Sequence, residues 1–434
     1  MLHAAAERLE AEELIARLLA LLLMVLPIPA MAQQGATAAP GLRARANALV
    51  GILADGTGYE RYFAESFRAK VPRERLAQIA AQLKATLGTP LKVESLTATT
   101  AWSAELVIAY QLGTASVTLI LDPAAPHRAT GLFVTGTGTR DDSLDKVTAD
   151  FRALPGVSGF GLYALGDAGP TPIASHRADA AAPIGSAFKL WVLDEAARHV
   201  AAGTRHWAEV VAAGPPSLAS GVLQTWPAGT PLTLQTLTTM MVSISDNTAT
   251  DTLMATLGHA AIDARAAANG GSTPVLTTRE AFVLKADPAL TATWTAATPA
   301  ARRALLDDRA AAIAATPLDA SVFGDKPVAI DSVEWFASPL AMAGLLDRLR
   351  CADAPVPAIL AVNAGVDAAT AGRFRYVGYK GGSEPGVVAM NFVVQAKDGR
   401  WYAATGNWHR ADADVSELRF LALMMRLLAL VAAR

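Results

Sequence analysis

Three short segments could do chemistry together: Ser186-Ala187-Phe188-Lys189, Ser245-Asp246-Asn247 and Lys380-Gly381-Gly382-Ser383. A serine hydroxyl at its ordinary pKa is a poor nucleophile and needs a base within hydrogen-bond reach. Three residues further along a helix, Lys189 falls on the same face as Ser186, one turn away. A lysine takes up a proton only when it is neutral, so Lys189 must be shielded from water and close to another cation. Lys380 would be that cation, and it would also attract a substrate carboxylate. Ser245 would bridge the two lysines and pass a proton to the leaving group, while Asn247 would orient Lys189 and a substrate amide. Gly381 and Gly382 would let a substrate lie along a strand edge. The backbone N–H groups of Ser186 and Ser383 would then form an oxyanion hole.

No one of these segments is specific alone. Ser143-Leu144-Asp145-Lys146 is a second Ser-x-x-Lys, but it follows a polar Arg-Asp-Asp run and has no matching partners downstream. Ser186 instead follows Pro183-Ile184-Gly185 and opens the apolar run from Phe188 to Leu193, the pattern of a serine at a helix start. By itself that serine could be a mere helix cap. The Ser-Asp-Asn triplet 59 residues later, and the lysine–glycine segment near the C-terminus, turn the reading toward an active site. A Ser-His-Asp hydrolase is not indicated, because no Gly-x-Ser-x-Gly elbow occurs. The seven histidines form no H-x-H or H-x-x-x-H pair, so neither a metal site nor a cofactor is expected.

These segments must be positioned by two blocks, the expectation for 434 residues. In residues 45–150, helical spacing over Tyr59 to Phe67 and Glu74 to Leu87 is followed by strand-like runs at 92–97, 103–112, 115–121 and 131–137. That order predicts an α+β unit with helices on an antiparallel sheet. In residues 151–434, strands at 159–165 and 172–175 precede the Ser186 helix and a long helical middle. Further strands at 374–380, 387–395 and 401–407 precede a last helix. Strands at both ends with helices between them require one sheet assembled from both termini, an α/β unit with an inserted helical part.

The apolar content of 52% against 18% charged residues predicts a packed globular protein. A net charge of −2 with interspersed signs argues against nucleic acid as a partner. The single cysteine, Cys351, excludes an intramolecular disulfide and is expected to be a small buried hydrophobe. Leu18 to Leu26 reads as the apolar core of an export signal over residues 1–32, with Ala30-Met31-Ala32 as the cleavage site. Export to the periplasm or medium follows, with a small-residue linker over 33–44 expected to be disordered. The apolar C-terminal stretch is interrupted by Arg419 and Arg426 and predicts a helix packed on the sheet. No stable membrane partner is expected after cleavage.

On these motifs the chain resembles the class A β-lactamase and penicillin-binding-protein superfamily over about residues 155 to 434. Tyr379-Lys380-Gly381-Gly382-Ser383-Glu384-Pro385-Gly386 and Thr277-Thr278-Arg279-Glu280 are most similar to the two-domain β-lactamase-like family of clavulanate gene clusters. That resemblance implies a steroid-isomerase-like N-terminal domain and a β-lactamase/transpeptidase-like catalytic domain, with an antiparallel sheet and a helical subdomain. It implies an acyl-enzyme at Ser186 and a small-molecule substrate: a β-lactam, an ester or a cell-wall peptide. Two departures matter. Gly381 stands where such enzymes usually have threonine, and Glu280, 35 residues after Ser245, lacks the asparagine that follows a deacylating glutamate. Glu280 is therefore read either as the deacylation base or as a loop carboxylate. A penicillin-binding D-Ala-D-Ala peptidase and a catalytically silent ligand-binding scaffold are the competing readings.

Overall fold

The computed structural model describes residues 38–139, 142–320, 324, 326–366 and 368–433. The expected export signal and its cleavage point lie outside them. The linker expected over 33–44 ends early, because helix α1 begins at Pro40 and runs to Asp55. Proline at the first helical position presets the backbone. Leu42, Ala46 and Leu49 recur at helical spacing and are completely buried, so the small residues around them belong to a packed helix.

Two one-turn helices, Tyr59–Tyr62 and Glu65–Arg68, stand where one continuous helix was expected. The break has a cause: Phe63 bridges to Ala129, and the Ala64 N–H donates to the Ala129 carbonyl at 2.9 Å. Helix α2 (Arg73–Leu87) follows. Strands β1 (Pro90–Thr100), β2 (Ser103–Tyr110), β3 (Gly113–Leu121) and β4 (Ala129–Thr139) then form an antiparallel meander. Alternate residues of β3, Ala115, Val117, Leu119 and Leu121, face the core shared with α1 and α2.

Helix α3 (Leu144–Arg152) explains the second Ser-x-x-Lys. Ser143 is its N-cap, accepting from the Lys146 N–H at 3.2 Å, an arrangement that stabilises a helix start. Val147 and Phe151 of α3 pack with Phe160 and Phe420, so the expected division at residue 150 falls inside a helix that joins the C-terminal core. Arg426, almost fully buried, pairs with Asp142 at 2.7 Å and Asp150 at 2.6 Å.

The C-terminal sheet contains β5 (Val157–Gly166) and β6 (Gly169–His176). The chain then runs through helices α4 (Lys189–Ala201), α5 (Leu234–Ser243), α6 (Asn247–Leu257) and α7 (Thr278–Ala286), among others. It returns as β7 (Phe374–Glu384), β8 (Val387–Ala396) and β9 (Trp401–His409), and ends in α8 (Glu417–Ala432). The sheet order is β7-β8-β9-β5-β6, antiparallel throughout, so strands from both ends do share one sheet. Strand β8 is buried along nearly its whole length, which its continuous apolar sequence requires of a strand covered on both faces. Helices α3 and α8 cover one face, and the helical insertion covers the other. Strand β7 is left at the edge of the sheet. Among the described residues no helix is long and apolar enough to cross a membrane.

One expectation is corrected outright: Cys351 is exposed. It caps the C-terminus of the helix Pro339–Arg350, whose apolar face is already filled by Leu345, Leu346 and Leu349, so the next residue turns toward solvent.

Candidate active site

Ser186 lies in a single 3₁₀ turn, Gly185–Phe188, that runs directly into α4. It is half-buried between completely buried neighbours, Ala187 and Phe188. Opening a helical turn, its N–H has no acceptor within the turn. Lys189 begins α4 and is completely buried, as the chemistry requires.

The Lys189 ammonium is within hydrogen-bond reach of three oxygens: the Ser245 carbonyl at 2.6 Å, Asn247 Oδ1 at 2.6 Å and Ser245 Oγ at 3.1 Å. Burial, reinforced by the charge of Lys380, pulls its pKa well below the ordinary lysine range, against a weaker upward pull from Asp251 and Asp246. A neutral amine has two N–H donors and one lone pair. The carbonyl and Asn247 Oδ1 can only accept, so they match the two donors, and the Ser245 hydroxyl can donate to the lone pair. Lys380 Nζ in turn donates to Ser245 Oγ at 3.1 Å and to the Gly381 carbonyl at 2.6 Å. Lys380 is buried too, and burial pushes its pKa down to about 7. The two lysines and Ser245 thus form one hydrogen-bonded chain. Ser186 Oγ has no hydrogen bond to Lys189 in this arrangement. Such contacts often close only when substrate is present.

Why these residues meet is local. Ser245 adopts φ 58°, a left-handed conformation unusual for serine, at the turn between α5 and α6. Asp246 caps α6 through the Ala249 N–H at 2.8 Å. Its other oxygen accepts from the Val222 and Leu223 N–H groups at 2.7 and 2.9 Å, which clamps the 220–223 loop beside the site. Gly221 (φ 98°) is required there, since a Cβ would lie 2.2 Å from the Asp246 carboxylate. Ser220 then donates to the Ser245 carbonyl at 2.7 Å.

Strand β7 brings up the last motif. Alternation places Lys380 and Gly382 on the face toward Ser186, with Gly381 on the other. A Cβ on Gly382 would lie 2.2 Å from the Ile184 carbonyl and 2.4 Å from the Ser186 nitrogen. Only glycine allows the strand to approach the nucleophile so closely. A Cβ on Gly381 would meet the Tyr379 hydroxyl at 2.1 Å, so that hydroxyl fills the space a threonine would need. Ser186, Ser220, Ser245, Tyr379, Lys380 and Ser383 line one cleft, together with Asn363 and Glu417.

The structure therefore gathers Ser186, Lys189, Ser245, Asn247, Lys380, Gly381, Gly382 and Ser383. Glu280 is engaged locally: it closes a capping box on α7, accepting from the Thr277 N–H at 2.7 Å while its own N–H donates to Thr277 Oγ1 at 3.0 Å. It does not line the cleft. Sequence reasoning missed Ser220, Tyr379 and Asp251. Asp251 lies one turn after Asn247 on α6, and a carboxylate inside a buried helix was the available signal. It accepts from both Thr278 donors and the Arg279 N–H, which ties α7 to the helix carrying Asn247.

Residues 143–349 match the family model described as Beta-lactamase enzyme family. The match takes in Ser186, Lys189, Ser245 and Asn247 and stops short of Lys380. No curated protein matches the chain significantly. A β-lactamase from Sphaerobacter thermophilus is 20% identical, with a TM-score of 0.47 over 66% of this chain and 95% of its own. The structure titled PBP-A is 17% identical, with a TM-score of 0.44 over 65% of this chain and 93% of its own. An ancestral class A β-lactamase is 18% identical, with a TM-score of 0.46 over 67% of this chain and all of its own.

Proposed function

We propose that the chain is an exported serine hydrolase of the β-lactamase and penicillin-binding type, acting through an acyl-enzyme at Ser186. The observation that carries this is the pair of buried lysines meeting at Ser245 beside a half-buried serine. Burying two lysines with no carboxylate bonded to either is costly to the fold, and general-base chemistry is what a neutral lysine there can do.

Ser186 Oγ attacks the substrate carbonyl and its proton passes to neutral Lys189. The carbonyl oxygen takes the negative charge and is held by the Ser186 and Ser383 N–H groups. The proton then moves from Lys189 through Ser245 to the leaving nitrogen or oxygen as that bond breaks, leaving Ser186 acylated. Lys380 donates to Ser245 and attracts an anionic substrate group. With Glu280 engaged as a cap, it is not free to activate a deacylating water, so acylation outpaces deacylation. β-Lactams, esters and cell-wall peptides are the candidate substrates. The proposal includes export, supported by the Leu18–Leu26 run, and a steroid-isomerase-like N-terminal unit, supported by helices packed on an antiparallel sheet.

Intact-mass measurement after brief exposure to a penicillin or a 3′-acetoxy cephalosporin tests this, with Ser186→Ala as control. A long-lived adduct that is absent from the variant is expected. Absence of both adduct and product, with activated esters included, would favour a silent binding scaffold.

A further inference from the structure

Behind the cleft lies a second buried charged cluster that the proposed acylation does not use. Glu334 is 5% exposed, and its Oε2 accepts from the Gly185 N–H at 3.0 Å, one residue before the nucleophile. Its Oε1 has no hydrogen-bond partner and lies 3.7 Å from Lys285 Nζ. Lys285, 7% exposed and on α7, is chelated by both oxygens of Glu384 at 2.5 Å. Glu384 follows Ser383 at the end of β7, on the same face as Lys380 and Gly382. The cluster therefore starts one residue before one oxyanion donor and ends one residue after the other.

Between those anchors the two backbones touch with no side chain to space them. Gly185 (φ 48°) has its Cβ position 3.1 Å from the Ser383 nitrogen, and Gly382 abuts the Ser186 nitrogen. The β8 ladder fixes the register of β7 from one side only; on the side facing the Ser186 turn, glycine–glycine contact supplies closeness, and the side-chain bonds across that gap are those of the charged cluster. We propose that Glu334, Lys285 and Glu384 are positioning residues that hold the Ser186 and Ser383 N–H groups at oxyanion-hole spacing. This rests on the acyl-enzyme reading of Ser186.

The charge state suits a clamp. Burial and the neighbouring Glu384 hold the Glu334 carboxyl well above its usual range, against the opposing pull of Lys285. Helix α7 joins this clamp to the base: its first turn bonds Asp251 on the helix of Asn247, and Lys285 lies near its end. An ion pair held by one carboxylate fork and braced by a second carboxyl fixes direction as well as distance.

The test uses the full mature chain with Glu384→Gln, Lys285→Met and the Lys285→Met/Glu384→Gln double variant, which leaves no unpaired charge inside. Two readouts are taken: the single-turnover acylation rate of Ser186 with a penicillin and an activated phenyl ester, and the affinity for phenylboronic acid, whose tetrahedral adduct places an oxygen in the hole. Loss of a whole oxyanion donor costs about 10²–10³ in rate, so a displaced one should cost at least about tenfold. The expected result is that acylation and boronate affinity fall by similar factors while initial substrate affinity changes little. Lys285→Arg should recover part of the loss. Folded variants, judged by a cooperative melt, that acylate within about twofold of wild type overturn the clamp and leave the acyl-enzyme reading standing. Failure of the wild type itself to acylate overturns that reading, and the clamp with it.

Discussion

Lys380 links the site to stability, and the link has a sign and a size. The unfolded chain holds the lysine proton up to about pH 10.5, whereas the folded protein releases it near pH 7 because the ammonium is buried. Between those values the unfolded state binds more protons, so this group makes stability rise with pH. Its full penalty is present below about pH 7 and is gone above about pH 10.5. At about 1.4 kcal/mol per pH unit the difference approaches 5 kcal/mol. Lys380→Met removes the titration and also gives up hydrogen bonds to Ser245 Oγ and the Gly381 carbonyl. Urea unfolding of both proteins at half-unit steps from pH 6 to 10 checks this, because groups not coupled to Lys380 cancel in the difference, which reads Lys380 together with its effect on Lys189. The advantage of wild type over the variant should climb by roughly 1 kcal/mol per pH unit between pH 7 and 10. At pH 6 the variant should be the equal of wild type or better, while no longer acylating at a measurable rate. A flat difference curve would refute the claim that Lys380 is buried as a titrating cation and would leave burial alone to account for a neutral Lys189.

Two further outcomes follow from the geometry. Gly382→Ala must push β7 away from the Ser186 turn, since the new Cβ meets the Ser186 nitrogen at 2.4 Å; acylation should fall by about 10² or more while the melting temperature drops only modestly, as stopped-flow and calorimetry would show. Glu280→Gln keeps a side chain that can accept from the Thr277 N–H, so it should cost under about 1 kcal/mol and leave the lifetime of the acyl adduct unchanged in a mass-spectrometric decay; a marked lengthening would restore Glu280 to the deacylation step.

Much of this site was legible in the residues. Ser186 and Lys189 could be placed on one helical face by spacing alone, and the decoy Ser143 could be set aside for want of partners. The five-stranded sheet from both chain ends followed from strand-like runs flanking a helical middle. Where local reading failed, a contact distant in sequence had decided the matter. Tyr59 to Phe67 has helical spacing, but Ala129 breaks it. Cys351 is apolar, but its helix has already filled its buried face. Glu280 has a carboxylate at a suggestive sequence distance from Ser245, yet that carboxylate is taken up by the Thr277 N–H, three residues away, in a capping box.

The sequence by itself determined which groups could react: a serine, two lysines, a bridging serine and a glycine strand, because side-chain chemistry and short-range spacing are written residue by residue. Only the tertiary structure decided their state. Neutrality of Lys189 depends on burial beneath Ser245 and Asn247, which lie 56 and 58 residues away. The Gly185–Glu334 and Lys285–Glu384 contacts, 149 and 99 residues apart, likewise exist only once the sheet and helices have packed. Desolvation is a property of everything that surrounds a group, and no window of sequence contains it.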